Sequence, residues 1–330
     1  MSTLGLFYLA NVSYGGFVSY TTHLMHALRA EGHLPMLFRI RARSESKERP
    51  FANGVSYRNV SLAEAEGIAA GIPSVVTCAY WKQFKGALPT LFRAGAACVL
   101  HDPTELHKDL VAELLARKTR VVCIRRGNQQ RFSAQGLAAS FARHPYVRAP
   151  AVEPQPPRAA NAVSLSRIDF DKNTLEIVRA NQLLPTDRQV QLHGSVNRMY
   201  THFKVEPEHP GWEQYYRGTF AKTPTAAVEI ARGARYVVDL SLISGDGGGT
   251  QYTFLEAWDA EAALLVHRGW LRPGEDLKEG ENCIAAADAA ELAALLQQEP
   301  PAQLRAGASV ALLAHAPKET VPSFLGAAFQ

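Results

Sequence analysis

Short apolar runs alternate with stretches of helical period from the first residues onward. LGLFYLA at 4–10 reads as a buried strand, 17–31 as a helix with a polar face, and LPMLFRI at 34–40 as a second strand. Strands are predicted again at 55–60, 74–78, 97–101 and 120–124, with helical stretches between them, notably 106–116. Nearly continuous apolar strands separated by amphipathic helices are the rhythm of a parallel α/β sheet, buried on both faces. The rhythm stops at 149–161 (APAVEPQPPRAAN), which is rich in Pro and Ala, has no apolar period, and reads as an extended linker. It then restarts, with strands at 162–166, 189–194, 236–242 and 264–267 and helices at 174–184, 226–232, 252–260 and 288–298. The spacing predicts two doubly wound α/β domains, 1–150 and 151–330, facing each other across a cleft, with ligands at the carboxyl ends of the strands.

Composition changes this picture little. With 330 residues, 47% hydrophobic and 20% charged, the chain is long enough for two cored domains and is not a disordered one. The opening residues lack the basic start, apolar run and cleavage site of a signal peptide, and no stretch approaches eighteen consecutive apolar residues. A cytoplasmic protein is expected, in the host cytoplasm if phage-encoded. Cys78, Cys98, Cys123 and Cys283 sit in or beside apolar runs with no zinc or redox spacing, as buried free thiols do. The net charge of +4 is unevenly placed: positions 117–148 hold eight Arg or Lys and no Asp or Glu, a bias suited to a polyanionic partner.

Several segments carry chemistry. Gly15 and Gly16 follow a strand and open a helix, where the backbone approaches a ligand closely and negative charge is favoured; a tight turn with no ligand explains them equally well. Arg167 and Lys172 flank a strand-end loop, where a guanidinium and an ammonium converge on a diphosphate, unless Asp169 and Asp171 simply pair with them. Gly245, Gly247, Gly248, Gly249 and Thr250 lead into a helix as a phosphate cradle, and Glu256 lies about one and a half turns inside it. His101 and Asp102 close a strand of the first domain; either they line the cleft, with Asp102 as a general base, or they are a satisfied strand end and the N-cap of the next helix.

In their order along nearly the whole chain, these elements resemble the large retaining group of GT-B glycosyltransferases, the family 4-like enzymes. The stretch NVSYGGFVSYTTHLMHALRAEGH is similar to that group's glycine loop and first helix, VLHDPTEL to its strand-end His-Asp, SRIDFDKNT to its R-x-x-x-x-K element, and SGDGGGTQYTFLEAWDAEAALLVHRG to its E-x7-E region. The resemblance implies transfer of a sugar from a nucleotide-diphosphate donor, most simply a UDP-sugar, with retention and without a metal or other cofactor. It implies His101, Asp102, Arg167 and Lys172 at the reaction centre. Gly15, Gly16, Gly194, Asp246, Gly248, Gly249, Thr250 and Glu256 would hold the donor, Glu256 by its ribose. The sequence departs from the pattern at Gly248, where the first acidic residue of E-x7-E would stand, with Asp246 two residues earlier as the substitute.

The acceptor is less constrained. Trp81, Lys82 and Lys85 interleave an aromatic with lysines after a strand, and Arg125 and Arg126 sit in the basic run, a pattern suited to stacking on bases and neutralising phosphates. Arg39, Arg41, Arg43, Lys47 and Arg49 form a second basic stretch. The segment IRRGNQQRFSAQGL is similar to phage DNA α-glucosyltransferases, which implies a hydroxymethylated pyrimidine in double-stranded DNA as acceptor. A glycan, lipid-linked or cell-envelope acceptor stays open, because basic surfaces also dock on anionic membranes, as does a nucleotide-binding module without transfer.

Overall fold

The computed structural model describes residues 2–10, 15–40, 55–102, 107–150, 162–221, 223, 225–242 and 248–330. The chain divides into two compact units, Met1–Val147 with Ala314–Gln330, and Arg148–Leu313. The boundary falls one residue before the Pro/Ala-rich segment, of which 151–161 lie outside the described residues. The last 17 residues belong to the first unit, so the division into 1–150 and 151–330 does not hold for the tail PKETVPSFLGAAFQ, which the resemblance to the GT-B group implies crosses back to the first domain.

In the first unit the described elements run β1 (Thr3–Leu9), α1 (Gly15–Ala30), β2 (Leu34–Arg39), β3 (Arg58–Asn59), α2 (Leu62–Gly71), β4 (Ser74–Ala79), α3 (Trp81–Phe84), α4 (Leu88–Arg93), β5 (Ala97–Leu100), α5 (Lys108–Ala116), β6 (Val121–Cys123), α6 (Arg126–Ser133) and β7 (Ala139–Phe141). The strands form a parallel sheet in the order β3-β2-β1-β4-β5-β6-β7. Because strand side chains alternate, Phe7, Leu9, Val76, Cys98, Leu100, Val121 and Cys123 face one way, onto Ala65, Leu91, Leu110, Leu114 and Phe132 of α2, α4, α5 and α6. The opposite face carries α1. Helix α2 starts with a reciprocal cap, Ser61 Oγ accepting from Glu64 N while Glu64 accepts from Ser61 N at 2.8 Å.

The second unit runs β8 (Ala162–Ser164), α7 (Thr174–Gln182), β9 (Val190–Leu192), α8 (Arg198–Tyr200), α9 (Ala226–Arg232), β10 (Tyr236–Asp239), α10 (Tyr252–Asp259), β11 (Ala263–His267), β12 (Ile284–Ala286), α11 (Ala289–Leu296) and α12 (Gln303–Leu313). Its parallel sheet has the order β12-β11-β10-β8-β9. Tyr236, Val238 and Leu265 pack with Ile177 and Val178 of α7 and Leu292 and Leu296 of α11. Val237, Leu264 and Val266 are equally buried on the opposite face, where α9, α10 and α12 pack together. A final helix, α13 (Pro317–Phe329), returns to the first unit and packs on α1 and on β5, β6 and β7 through Val321, Phe324 and Ala328.

Four expected strands or helices shorten on folding. The strand at 55–60 reduces to the two residues of β3, at the sheet edge. The strand at 97–101 stops at Leu100, and the helix at 106–116 starts at Lys108, capped by His107 accepting from Asp109 N at 3.3 Å. Asp102 is therefore not the N-cap of that helix. The strand at 236–242 stops at Asp239, where its carboxylate turns back to accept from Ser241 N and ends the ladder. All four cysteines are buried. No helix among the described residues is long and apolar enough to cross a membrane.

Candidate functional site

In each sheet the order reverses direction once, between β1 and β4 in the first unit and between β8 and β10 in the second. Strands on either side of such a point send their connections to opposite faces, which leaves a crevice at their carboxyl ends. In the second unit the loop after β8 fills one wall of that crevice. Asp169 accepts from Phe170 N and from Asn197 Nδ2, both at 2.8 Å, and starts a 3-10 turn, Phe170–Lys172. Asn173 follows in the left-handed region at φ 47° and donates from Nδ2 to Leu240 O at 3.0 Å, while Leu242 N donates to Asp171 O at 3.0 Å. The two strand ends are thereby tied to each other.

That tie puts Lys172 over the switch point. Its ammonium donates to Ser241 Oγ at 2.7 Å and to Gln251 Oε1 at 3.2 Å, and among the described residues no carboxylate lies within ion-pair distance of it. Arg167 is placed differently. Its guanidinium is half-exposed and donates to Asp169 Oδ2 at 2.5 Å and to Asp171 Oδ2 at 3.2 Å, the local ion pair that the sequence left open. An exposed pair of this kind is weak, so Arg167 can exchange its carboxylates for a diphosphate at small cost. Gly194, beyond β9, reaches φ +145° with its backbone against the β8 loop, where an added Cβ meets Ser166 O at 2.1 Å.

The described end of the glycine-rich segment, Gly248 to Thr250, leads into Gln251, which bonds Lys172 from the other side. Residues 243–247, and with them Asp246 and Gly245, lie outside the described residues. Gly248 and Gly249 both have positive φ, 75° and 72°, and a Cβ on Gly248 lies 2.7 Å from Arg272 and 2.9 Å from Glu275. A carboxylate at 248 is therefore excluded by backbone conformation and by its neighbours. Trp270 Nε1 donates to Gly249 O at 3.0 Å and fixes the loop from beneath. Thr250, expected to offer its hydroxyl to a phosphate, spends it instead on Asp276 Oδ2 at 2.9 Å and is buried. Helix α10 then starts with Gln251 as a cap that makes no side-chain bond to the helix; its Nε2 is buried without a partner among the described residues.

Glu256 lies on α10, one turn before Asp259. Burial, together with the Asp259 and Asp239 carboxylates, pushes its pKa from the ordinary 4.5 up to about 7. Asp259 is itself tied to the start of the unit, accepting from Arg148 Nε and Ala149 N, each at 2.8 Å. The folded pKa lies above the unfolded one, so the native state holds a proton through the interval from about 4.5 to about 7, and stability falls as pH rises across it. Glu256→Gln is expected to raise stability at pH 8 by about 1–2 kcal/mol, allowing for solvent at a half-buried side chain, and by nothing at pH 4. Paired urea unfolding curves at the two pH values check it; an equal gain at both would show that charge is not the cause.

The first unit gathers a second set of residues at its strand ends. His101 follows β5, is buried, and hydrogen-bonds through Nε2 to Thr77 O at 2.8 Å, with Phe17 and Tyr20 edge-on at 4.7 and 4.9 Å. Burial lowers its pKa to about 4, with the nearby Asp102 opposing and Arg125 reinforcing the shift, so the ring is neutral at physiological pH. Gly15 and Gly16 are the first two residues of α1, and a Cβ added at either meets no atom of the described residues within 4 Å. Trp81 opens α3 directly after β4 and stacks on His107 at 6.4 Å; Lys82 and Lys85 on the same turn are exposed. Arg125 is buried at 9% exposure after β6, which removes it from a surface-contact role, and Arg126 lies over the Phe141 ring at 4.2 Å. Sequence reasoning missed Asp239, Ser241 and Gln251; the only local signal was an Asp inside the apolar run YVVDLSL. Among the described residues no group of three or more His, Cys, Asp or Glu is arranged to hold a metal.

The chain matches no protein-family model, and no curated protein matches it in sequence. Its backbone, however, superposes on glycosyltransferases over almost its full length. HepE of Anabaena in complex with UDP matches with a TM-score of 0.69 and 13% identity, covering 99% of both chains. A TarM variant of S. aureus in complex with fondaparinux, α-GlcNAc-glycerol and UDP matches at 0.70 and 10%, again over 99% of both. An α-glucosyltransferase in complex with UDP-glucose and DNA containing an abasic site matches at 0.62 and 11% over 98% of both. At such identities the likeness defines the fold: two parallel-sheet α/β units, of seven and five strands, of the GT-B glycosyltransferase type.

Proposed function

We propose that the protein is a glycosyltransferase that moves a sugar from a UDP-sugar to an acceptor hydroxyl. The observation that carries this reading is the Lys172 ammonium, held at the switch point of the five-stranded sheet by two neutral oxygens and by no carboxylate among the described residues. A cation so placed beside the start of α10 suits a diphosphate, whose charge rises as the glycosidic bond breaks. Arg167 joins it by leaving Asp169 and Asp171, and Glu256 accepts from the donor ribose. Structures of the same fold hold UDP or UDP-glucose, which supports the choice of nucleotide. Retention needs no protein nucleophile: the leaving diphosphate takes the acceptor proton on the face from which it departs. The resemblance also assigns His101 and Asp102 to the reaction centre and Gly15 and Gly16 to the donor.

Two acceptors each have an observation behind them. Trp81 with the exposed Lys82 and Lys85, at the carboxyl end of β4, suits an unstacked hydroxymethylpyrimidine in DNA. Against this, Arg125 is buried, Arg126 covers Phe141 and Arg117 pairs with Glu113 at 3.7 Å, so much of the basic run serves the fold, which favours a glycan or lipid-linked acceptor. Radiolabelled UDP-glucose and other nucleotide sugars offered with unmodified DNA, hydroxymethylated DNA and a panel of glycans separate them. Label on hydroxymethylated DNA alone assigns the first, label on glycans or lipids alone the second, and no donor turnover under any condition contradicts the enzyme reading in favour of a nucleotide-binding module.

A further inference from the structure

Strand β10 ends in a buried acid. Asp239 is 1% exposed at the end of a buried apolar strand, a setting in which a carboxylate persists only if it is hydrogen-bonded. Its Oδ1 receives two bonds, from Ser241 N at 2.9 Å and from the Ser241 hydroxyl, while Oδ2 is buried with no partner among the described residues. Ser241 is also 1% exposed. Having one proton, already given to Asp239, its hydroxyl meets the Lys172 ammonium only as an acceptor, at 2.7 Å. The direction of the chain is thus fixed: Lys172 N–H to Ser241 O–H to the Asp239 carboxylate.

The ammonium has three protons. One goes to Ser241 Oγ, one to Gln251 Oε1 at 3.2 Å, and the third is left for a ligand. A direct ion pair with Asp239 would hold Lys172 as firmly but would cancel much of its charge where the diphosphate needs it. One interposed hydroxyl keeps the aim and leaves the charge. We propose that Asp239 is a positioning residue for sugar transfer, acting through the Ser241 hydroxyl to aim the Lys172 ammonium at the leaving diphosphate. The inference rests on the donor site proposed above and adds to it the two residues that orient its cation.

The test compares Ser241→Ala, Ser241→Thr, Asp239→Asn, Lys172→Ala and the Lys172→Ala/Ser241→Ala double variant, by steady-state kinetics with UDP-glucose and by the protected ammonium resonance of Lys172 in proton–nitrogen NMR. Ser241→Ala and Asp239→Asn are expected to lower kcat about tenfold with a much smaller change in donor KM, and to lose the protected resonance. Ser241→Thr, which keeps the hydroxyl, restores both. In the Lys172→Ala background, Ser241→Ala is expected to add nothing. The inference alone is overturned if Lys172→Ala is slow but Ser241→Ala is as fast as wild type or keeps the resonance, or if its effect is the same with and without Lys172. A Lys172→Ala protein at the wild-type rate would overturn the donor-site reading, and this inference with it. Should Asp239→Asn fail to fold, the Ser241 pair decides the question by itself.

Discussion

Replacing Lys172 by alanine is expected to slow sugar transfer by about 30- to 1000-fold, or about 2–4 kcal/mol of transition-state stabilisation. The size follows from where the ammonium is held. Its partners, Ser241 Oγ and Gln251 Oε1, are neutral, so the charge is not spent inside the protein and acts on whatever anion enters the crevice. Negative charge on the diphosphate increases as the sugar departs, so the loss falls on kcat more than on donor affinity. Arg167→Ala is expected to cost less, about tenfold, since that guanidinium is half-exposed and must first leave Asp169 and Asp171. Single-turnover rates for the two variants give the comparison, and equal losses would mean that Arg167 is freed from its carboxylates before the donor arrives.

The second large effect is expected at Gly194. Its φ of +145° is strained for any side chain, and an added Cβ lies 2.1 Å from Ser166 O and 2.8 Å from Ser166 C, both main-chain atoms. The residue is held in place from the opposite side as well, with Gly194 N donating to Gly218 O at 3.0 Å and Tyr216 Oη to Gly194 O at 2.9 Å. The Ser166 wall, being main chain, does not yield by turning a side chain. Gly194→Ala is therefore expected to destabilise the second unit by about 2–4 kcal/mol and, in molecules that still fold, to push Ser166 and Arg167 out of line. Denaturant unfolding and UDP affinity measured on the same preparation check both parts, and a variant as stable as wild type would contradict the close approach.

The alternation of apolar strands and amphipathic helices was enough to read two α/β halves and their division near residue 150, because a buried parallel strand leaves an unbroken apolar run. Strands β7 and β12 lie at the edges of their sheets and carry the short runs ASF and IAA rather than a branched apolar stretch, and the single pairing that defines β3 depends on β2 beside it. Helix α13 has the periodicity of a helix, but which unit it joins is decided by the faces of α1 and of β5 to β7, far away in sequence. The site divides in the same way. Gly248, Gly194, Lys172 and Glu256 stood out as residues of marked type at strand ends and helix starts. Ser241 did not, since its partner Lys172 is 69 residues away and nothing local distinguishes its hydroxyl. Thr250 read as a phosphate contact because the neighbouring glycines suggested a cradle, whereas Asp276, 26 residues on, takes its proton.

The most direct measurement of the central claim follows phosphorus NMR signals of UDP-glucose incubated with the wild-type protein and with Lys172→Ala, without acceptor, so that water takes the sugar. The account predicts slow release of UDP by the wild type and a rate at least about tenfold lower in the variant. Release of UDP at the same rate by both proteins would contradict a donor site at the switch point of the five-stranded sheet.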